Sequence, residues 1–339
     1  MPEFRTPEPI SVELSMSKGR LSVVAGERDD TVVRVAPVDE AAAADVKAAQ
    51  QTEVSYRAGR LLVKAPEPNW LTGIVGGGGS IDITIELPAG SSLQGEVSKA
   101  DVRAEGRLDG VRLESVSGST HLERVGTLHI DTVFGHITVD DVSDYANLNG
   151  VSGRVQLRKV SGSAVIKGVN GAVRVGESGH DLHISTAGGD IFVDDAGPGV
   201  TAKTASGTIR LGRVRQGEAE LLTGSGEIEI GVGEGSMAWI DARSTTGSVR
   251  NTLQSQDGPS PQGDTVKVLA RSRHGDILIH RAKAPGSTAD SSAAPSYARP
   301  QTRPPHLRMR QGCAVPLDMA PLRRHTYAMA QDHALHASW

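Results

Sequence analysis

Two acidic pairs, Asp140–Asp141 and Asp194–Asp195, are the first residues in this chain whose type and spacing could do chemistry. Paired carboxylates can serve as acid and base across a glycosidic bond, or hold a hard cation. Three histidines, His121, His129 and His183, offer imidazole ligands, although zinc needs every ligand about 2 Å from one ion. The run GIVGGGGS has the glycines of a phosphate loop but lacks its GK[ST] ending. Phe192 and Trp239 are rings that could stack on a sugar, and serines recur in SG turns. The one cysteine, Cys313, lies near the C-terminus, so the body of the chain has no disulfide and no thiolate metal cluster.

What these residues can do depends on what positions them, and that is a repeat. From Val111 the chain aligns in nines: apolar, any, apolar, any, any, small or apolar, any, Gly, any. Fourteen such units run from 111 to 236, among them LHIDTVFGH, VQLRKVSGS and IFVDDAGPG. One unit is a residue short, and Glu218 is an extra residue between two others. Strand side chains alternate, so the first and third residues share a side and form the core. Leu128 and Ile130, Ile137 and Val139, Val155 and Leu157, and Ile191 and Val193 hold these places. The sixth is expected to turn inward as the chain bends. Glycine fills the eighth place of every odd unit: Gly118, Gly135, Gly153, Gly171, Gly189, Gly207 and Gly226. Even units seldom have it, so the true repeat is about eighteen residues with two different turns. Each repeat is one coil of two short strands, stacked about 4.8 Å from the next. The expected fold is all-β: a single-domain β-solenoid. Apolar spacings of two, three and four fit a three-sided hexapeptide coil poorly. The turns also lack the regular Asp of calcium-binding nonapeptides.

In this frame the candidate chemistry thins out. The two acid pairs share a column three coils apart, about 14 Å at strand spacing, too far to cooperate across a glycosidic bond. The even units alternate acids and bases there, with Arg158 and Lys159 next to Asp140 and Asp141, which reads as a solvated charge ladder. A carbohydrate-active enzyme would instead need acids on adjacent coils of one groove, and this column offers none. His129 and His183 lie three coils apart and His121 on the other face, so they form no zinc site. Phe192 and Trp239 face opposite sides. No catalytic, cofactor-binding or metal-ligating residue is assigned, and no cofactor is expected.

The flanks set the domain organisation. Residues 1–100 read as an N-terminal β-rich cap. SVELSMSKGRLSVVAG and TEVSYRAGRLLVKAP look like hairpins, 39–51 like one short helix, and SIDITIELP like a half-buried strand. Residues 101–281 are the repeat region, whose last copies, AWIDARSTTGSVRNTL and GDTVKVLARSRHGDILIH, are split by SQDGPSPQG. Residues 282–339, with seven prolines and six Arg against three Asp, read as a disordered tail. Forty glycines and only ten aromatics suit a narrow core with frequent turns. The net charge of -4 gives no strong pull toward nucleic acid. The N-terminus shows no basic start followed by an apolar run, and no stretch reaches the ~18 apolar residues that cross a bilayer. A cytoplasmic location is therefore expected, without direct membrane insertion, with surface association left open.

Gly-punctuated coils such as TVFGHITVDDV and GVSGRVQLRKV, preceded by SIDITIELPAGSSL, resemble the bacterial putative adhesin family of β-strand-repeat domains, over roughly residues 10–281. The resemblance implies a β-solenoid and suggests adhesion, and it carries over no functional residues. The expected function is that of a non-enzymatic, adhesin-like scaffold or interaction protein with an unknown macromolecular partner. A polysaccharide or cell-envelope binding module, or a self-assembling filament or other homo-oligomer, is the alternative.

Overall fold

The computed structural model describes residues 2–66, 79–253 and 264–282. Most of GIVGGGGS, the segment SQDGPSPQG and the expected tail after residue 282 lie outside the described residues. The elements are β1 (Glu3–Arg5), β2 (Ser11–Gly26), β3 (Asp30–Pro37), α1 (Ala43–Gln51), β4 (Glu53–Arg57), β5 (Arg60–Lys64), β6 (Ile81–Pro88) and β7 (Ser92–Ser152). Strands then come in pairs: β8 (Val155–Val160) and β9 (Ser163–Asn170), β10 (Val173–Ser178) and β11 (Leu182–Gly188), β12 (Ile191–Asp195) and β13 (Gly199–Ser206), β14 (Ile209–Val214) and β15 (Gly217–Ser225). The chain ends its described part with β16 (Ile228–Val232), β17 (Met237–Ser244), β18 (Val249–Asn251), β19 (Thr265–His274) and β20 (Ile277–Arg281).

These strands build a β-solenoid of two-stranded coils in parallel register. Ile137 pairs with Val155, Val155 with Val173, Val173 with Ile191 and Ile191 with Ile209, eighteen residues at each step. The next step, Ile209 to Ile228, takes nineteen, and the extra residue is absorbed before Ala219, which pairs with Val200. The core follows the first and third places of each unit. Leu128, Ile130, Ile137, Val139, Val155, Leu157, Ile191 and Val193 are all buried in one continuous cluster, and Val139 lies in register with Leu157. Burying each such side chain stabilises the stack by about 1.5–3 kcal/mol.

The two corners of a coil differ, which corrects the expectation that the sixth place turns inward throughout. In even units it does: Val125, Val142, Val160 and Val214 are buried. In odd units the fifth place turns inward, and the sixth faces out. Thr132, Thr186, Thr204 and Thr223 are buried there. The hydroxyl of Thr186 donates to the Gly188 carbonyl at 3.0 Å, and that of Thr204 to the Ser206 carbonyl at 3.1 Å. A hydroxyl buried at a tight corner needs a carbonyl acceptor, and the backbone two residues on supplies it while the Thr methyl group fills the core. The glycine column follows immediately. Gly153 has φ +153°, and a Cβ on it would lie 1.9 Å from the Gly135 carbonyl oxygen of the coil before. Only glycine lets the backbone approach that closely in that conformation.

Both ends of the stack are interleaved. β2 is a full coil and not a hairpin: Ser11–Ser15 and Gly19–Gly26 each pair in parallel on both sides, with β5 and β6 outward and with β7 inward. Gly19, φ +133°, sends the chain round the corner to the other face, where a hairpin turn would have paired the two halves with each other. The stack therefore begins within the N-terminal segment, and β7 runs through residue 100 without a break. The hairpin of β4 and β5, the helix α1 and the alternating strand β6 form as their sequences indicate. At the other end β15 pairs with β19, and β19 with β17; likewise β16 pairs with β20, and β20 with β18. The last two copies thus stack in reverse order of sequence, the later one filling the level that the earlier one leaves open.

Candidate functional site

The structure keeps the acid pairs apart. Asp141 is in register with Lys159, Lys159 with Glu177 and Glu177 with Asp195, so the two pairs are three coils distant. Arg158 lies 3.2 Å from Asp140, and Arg213 lies 2.5 Å from Asp195 with Arg215 at 3.3 Å. These contacts form a mixed-charge ladder. His129 is held by Asp131 at 2.8 Å, and among the described residues no group of three His, Cys, Asp or Glu is placed to hold a metal ion. Phe192 carries the Arg174 guanidinium 5.4 Å above its ring. Trp239 stands on β17, in the other strand column, with 70% of its surface exposed.

A groove of about 690 Å³ lies on the odd-unit side, at the corner where the fifth and sixth places exchange roles. It runs along the solenoid axis across five coils. Its floor is the fifth column: Met16, Val97, Ser115 and Thr132, ending at exposed Gly150. One wall is the fourth column, Ser15, Glu96, Glu114, Asp131 and Asn149; the other is the sixth, Ser17, Ser98, Val116 and Val133, whose valines stand 48% and 49% exposed. Val169, 46% exposed, holds the same sixth place beyond the groove, and Phe134, 58% exposed, stands beside Val133 at the seventh. Sequence reasoning missed this site because it assigned the sixth column to the core. The motif alone could not have found it, because VSG also occurs at 160–162, where Val160 is buried.

The odd column also supplies what the even column lacks, acids on adjacent coils of one groove. Strand spacing sets Glu96, Glu114 and Asp131 on successive levels about 4.8 Å apart. Polar neighbours surround two of them. Glu114 is half exposed with Arg112 at 3.6 Å, and Asp131 accepts hydrogen bonds from the Asn149 amide at 3.0 Å and the His129 ring. These three carboxyl groups line one side of the groove.

The coil geometry and this two-walled groove define a parallel β-solenoid with a surface suited to binding. The Toastrack DUF4097 family model matches residues 28–280, more than half of the chain, and the chain belongs to that family. No curated protein matches it. Among solved structures it is similar to a putative adhesin of Bacteroides fragilis, at 12% identity and a TM-score of 0.34, over 82% of this chain and 95% of that one. A putative adhesin of Parabacteroides distasonis has 11% identity, a TM-score of 0.34 and the same shares. A putative cell adhesion protein of Clostridium sporogenes has 11% identity and a TM-score of 0.19, over 83% of this chain and 99% of that one. Among the described residues no helix is long and apolar enough to cross a membrane.

Proposed function

We propose that this chain is a non-enzymatic, adhesin-like interaction protein whose groove grips an extended segment of a macromolecular partner. The observation that carries this reading is a row of acids, Glu96–Glu114–Asp131, facing a wall that is serine at Ser17 and Ser98 and apolar at Val116 and Val133, along one axis-parallel channel. A strand of basic and apolar side chains in alternation would set one kind against each wall. Exposed ion pairs contribute only about 0–1 kcal/mol each, so affinity rests on several rungs acting together and weakens as salt rises.

The test titrates the full chain with an extended peptide alternating Lys and Val, and with its Glu–Val counterpart. Saturable, salt-sensitive binding of the first alone is expected, weakened in Glu96→Gln/Glu114→Gln and in Val116→Asp. Equal binding of both peptides, or of neither, would overturn the groove assignment. Glycan hydrolysis that disappears in Glu114→Gln would overturn the non-enzymatic reading.

A further inference from the structure

The two ends of the stack are finished differently. At the N-terminal end β3 lies antiparallel on β6 and β4 antiparallel on β5, so both strands of the outer coil are covered, with β1 on β3 and α1 packed alongside. The outermost strands there are short and charged, β1 with three residues including Glu3 and Arg5 and β4 with five including Glu53 and Arg57, the kind of edge that resists pairing. At the C-terminal end the outer coil is β17 and β18, and among the described residues each pairs only on its inner side. The amide of Met237 donates inward to the Asp264 carbonyl, and that of Thr245 to the Ser272 carbonyl. Alternation then turns the amides and carbonyls of Ala238, Ile240, Ala242 and Ser244 outward. Ala238, Ile240 and Ala242 are also only partly buried against the last rung of the core.

We propose that two copies of the chain join end to end, β17 pairing antiparallel with β17 of the second copy about a two-fold axis through Ala242. In this register every hydrogen-bonded pair is formed by outward-facing residues: Ala242 with Ala242, and Ile240 with Ser244. The intervening pairs, where side chains approach most closely, set Asp241 of each copy opposite Arg243 of the other. A register centred on Asp241 would place the two acids face to face, which disfavours it. Arg271, 2.5 Å from Asp241, holds that carboxyl below its usual range, so the charge is present at neutral pH. The joint also continues the core across the interface, Ile240 and Ala242 meeting their counterparts. Because the other end is covered, assembly closes at two copies.

Sedimentation of the full chain over micromolar concentrations tests this. A species of twice the chain mass is expected. Arg243→Asp sets like charges opposite one another twice over and weakens the dimer about tenfold or more. Ala242→Pro removes an outward amide and leaves the inward ladder intact, as edge prolines do, so it abolishes the dimer without lowering the melting temperature. A strictly monomeric wild-type chain overturns the proposal, as does a dimer indifferent to both variants. A ladder of longer oligomers overturns the closed end.

Discussion

Gly153→Ala is expected to destabilise the stack by about 3–5 kcal/mol, while Gly235→Ala costs about 1–2 kcal/mol. Both glycines have positive φ, +153° and +79°, but their surroundings differ. A Cβ at 153 would meet the Gly135 carbonyl oxygen at 1.9 Å and its carbon at 2.9 Å, whereas nothing lies within 4 Å of one at 235. Alanine at 235 meets only the left-handed penalty, about 1–2 kcal/mol. Alanine at 153 must keep a backbone conformation that costs about 1–3 kcal/mol and must also push the adjoining coil away by more than 1 Å. That movement strains the rung joining the two coils, where the Ile137 amide donates to the Arg154 carbonyl at 2.9 Å, at about 1 kcal/mol for each bond lost. Urea denaturation followed by far-UV circular dichroism would compare the two variants. Hydrogen exchange would show whether the loss centres on the rungs around 135, 153 and 171. Equal losses, or a larger loss at 235, would refute the argument that the corner column requires glycine for close approach.

The remaining predictions concern the core, an ionic cluster and the ladder. Val139→Asp puts a carboxylate into a fully buried place beside Leu157 and should cost several kcal/mol at neutral pH. Burial raises that carboxyl's folded-state pKa, so lost stability should return as pH falls; an unchanged melting temperature would sink the inward assignment. Glu86 is held below the usual carboxylate range by Arg28, and then by Arg34. Its contribution is present above the unfolded value near ~4.3 and is lost as pH falls through the folded value. Glu86→Gln should flatten the acid limb of the melting-temperature profile. Arg158→Ala removes an exposed contact to Asp140 and should change stability by less than about 1 kcal/mol; a loss of several would show that the ladder is structural.

The coil was legible because it rests on the two periodicities that physics makes loudest. Alternation placed Ile137, Val139, Val155 and Leu157 in the core, and the glycine at every second corner showed the eighteen-residue period. What the pattern could not show was order in space. The copies at 237–251 and 265–281 obey the same rule, and nothing in either says which lies outermost. The same holds for SVELSMSKGRLSVVAG, where glycine between alternating runs suits a hairpin as well as a coil corner. The structure decides for the coil because strands on both sides, β5 and β6 outward and β7 inward, supply the partners that a hairpin would have found within itself.

The groove was hidden for a related reason: one letter has two meanings at the two corners. Valine at the sixth place is core in the even units, as at Val142 and Val160, and surface in the odd ones, as at Val116 and Val133. At the odd corner the fifth residue turns inward instead, and there Thr186, Thr204 and Thr223 fill the core with the hydroxyl bonded to a carbonyl. Neither the fourth nor the sixth place is then needed for packing. Glu114 still pairs with Arg112, and Asp131 with His129 and Asn149, while Val116 and Val133 stand exposed on the other side. Apolar surface left exposed without a packing role is costly in water, and this is why the proposed partner is sought at the odd corner.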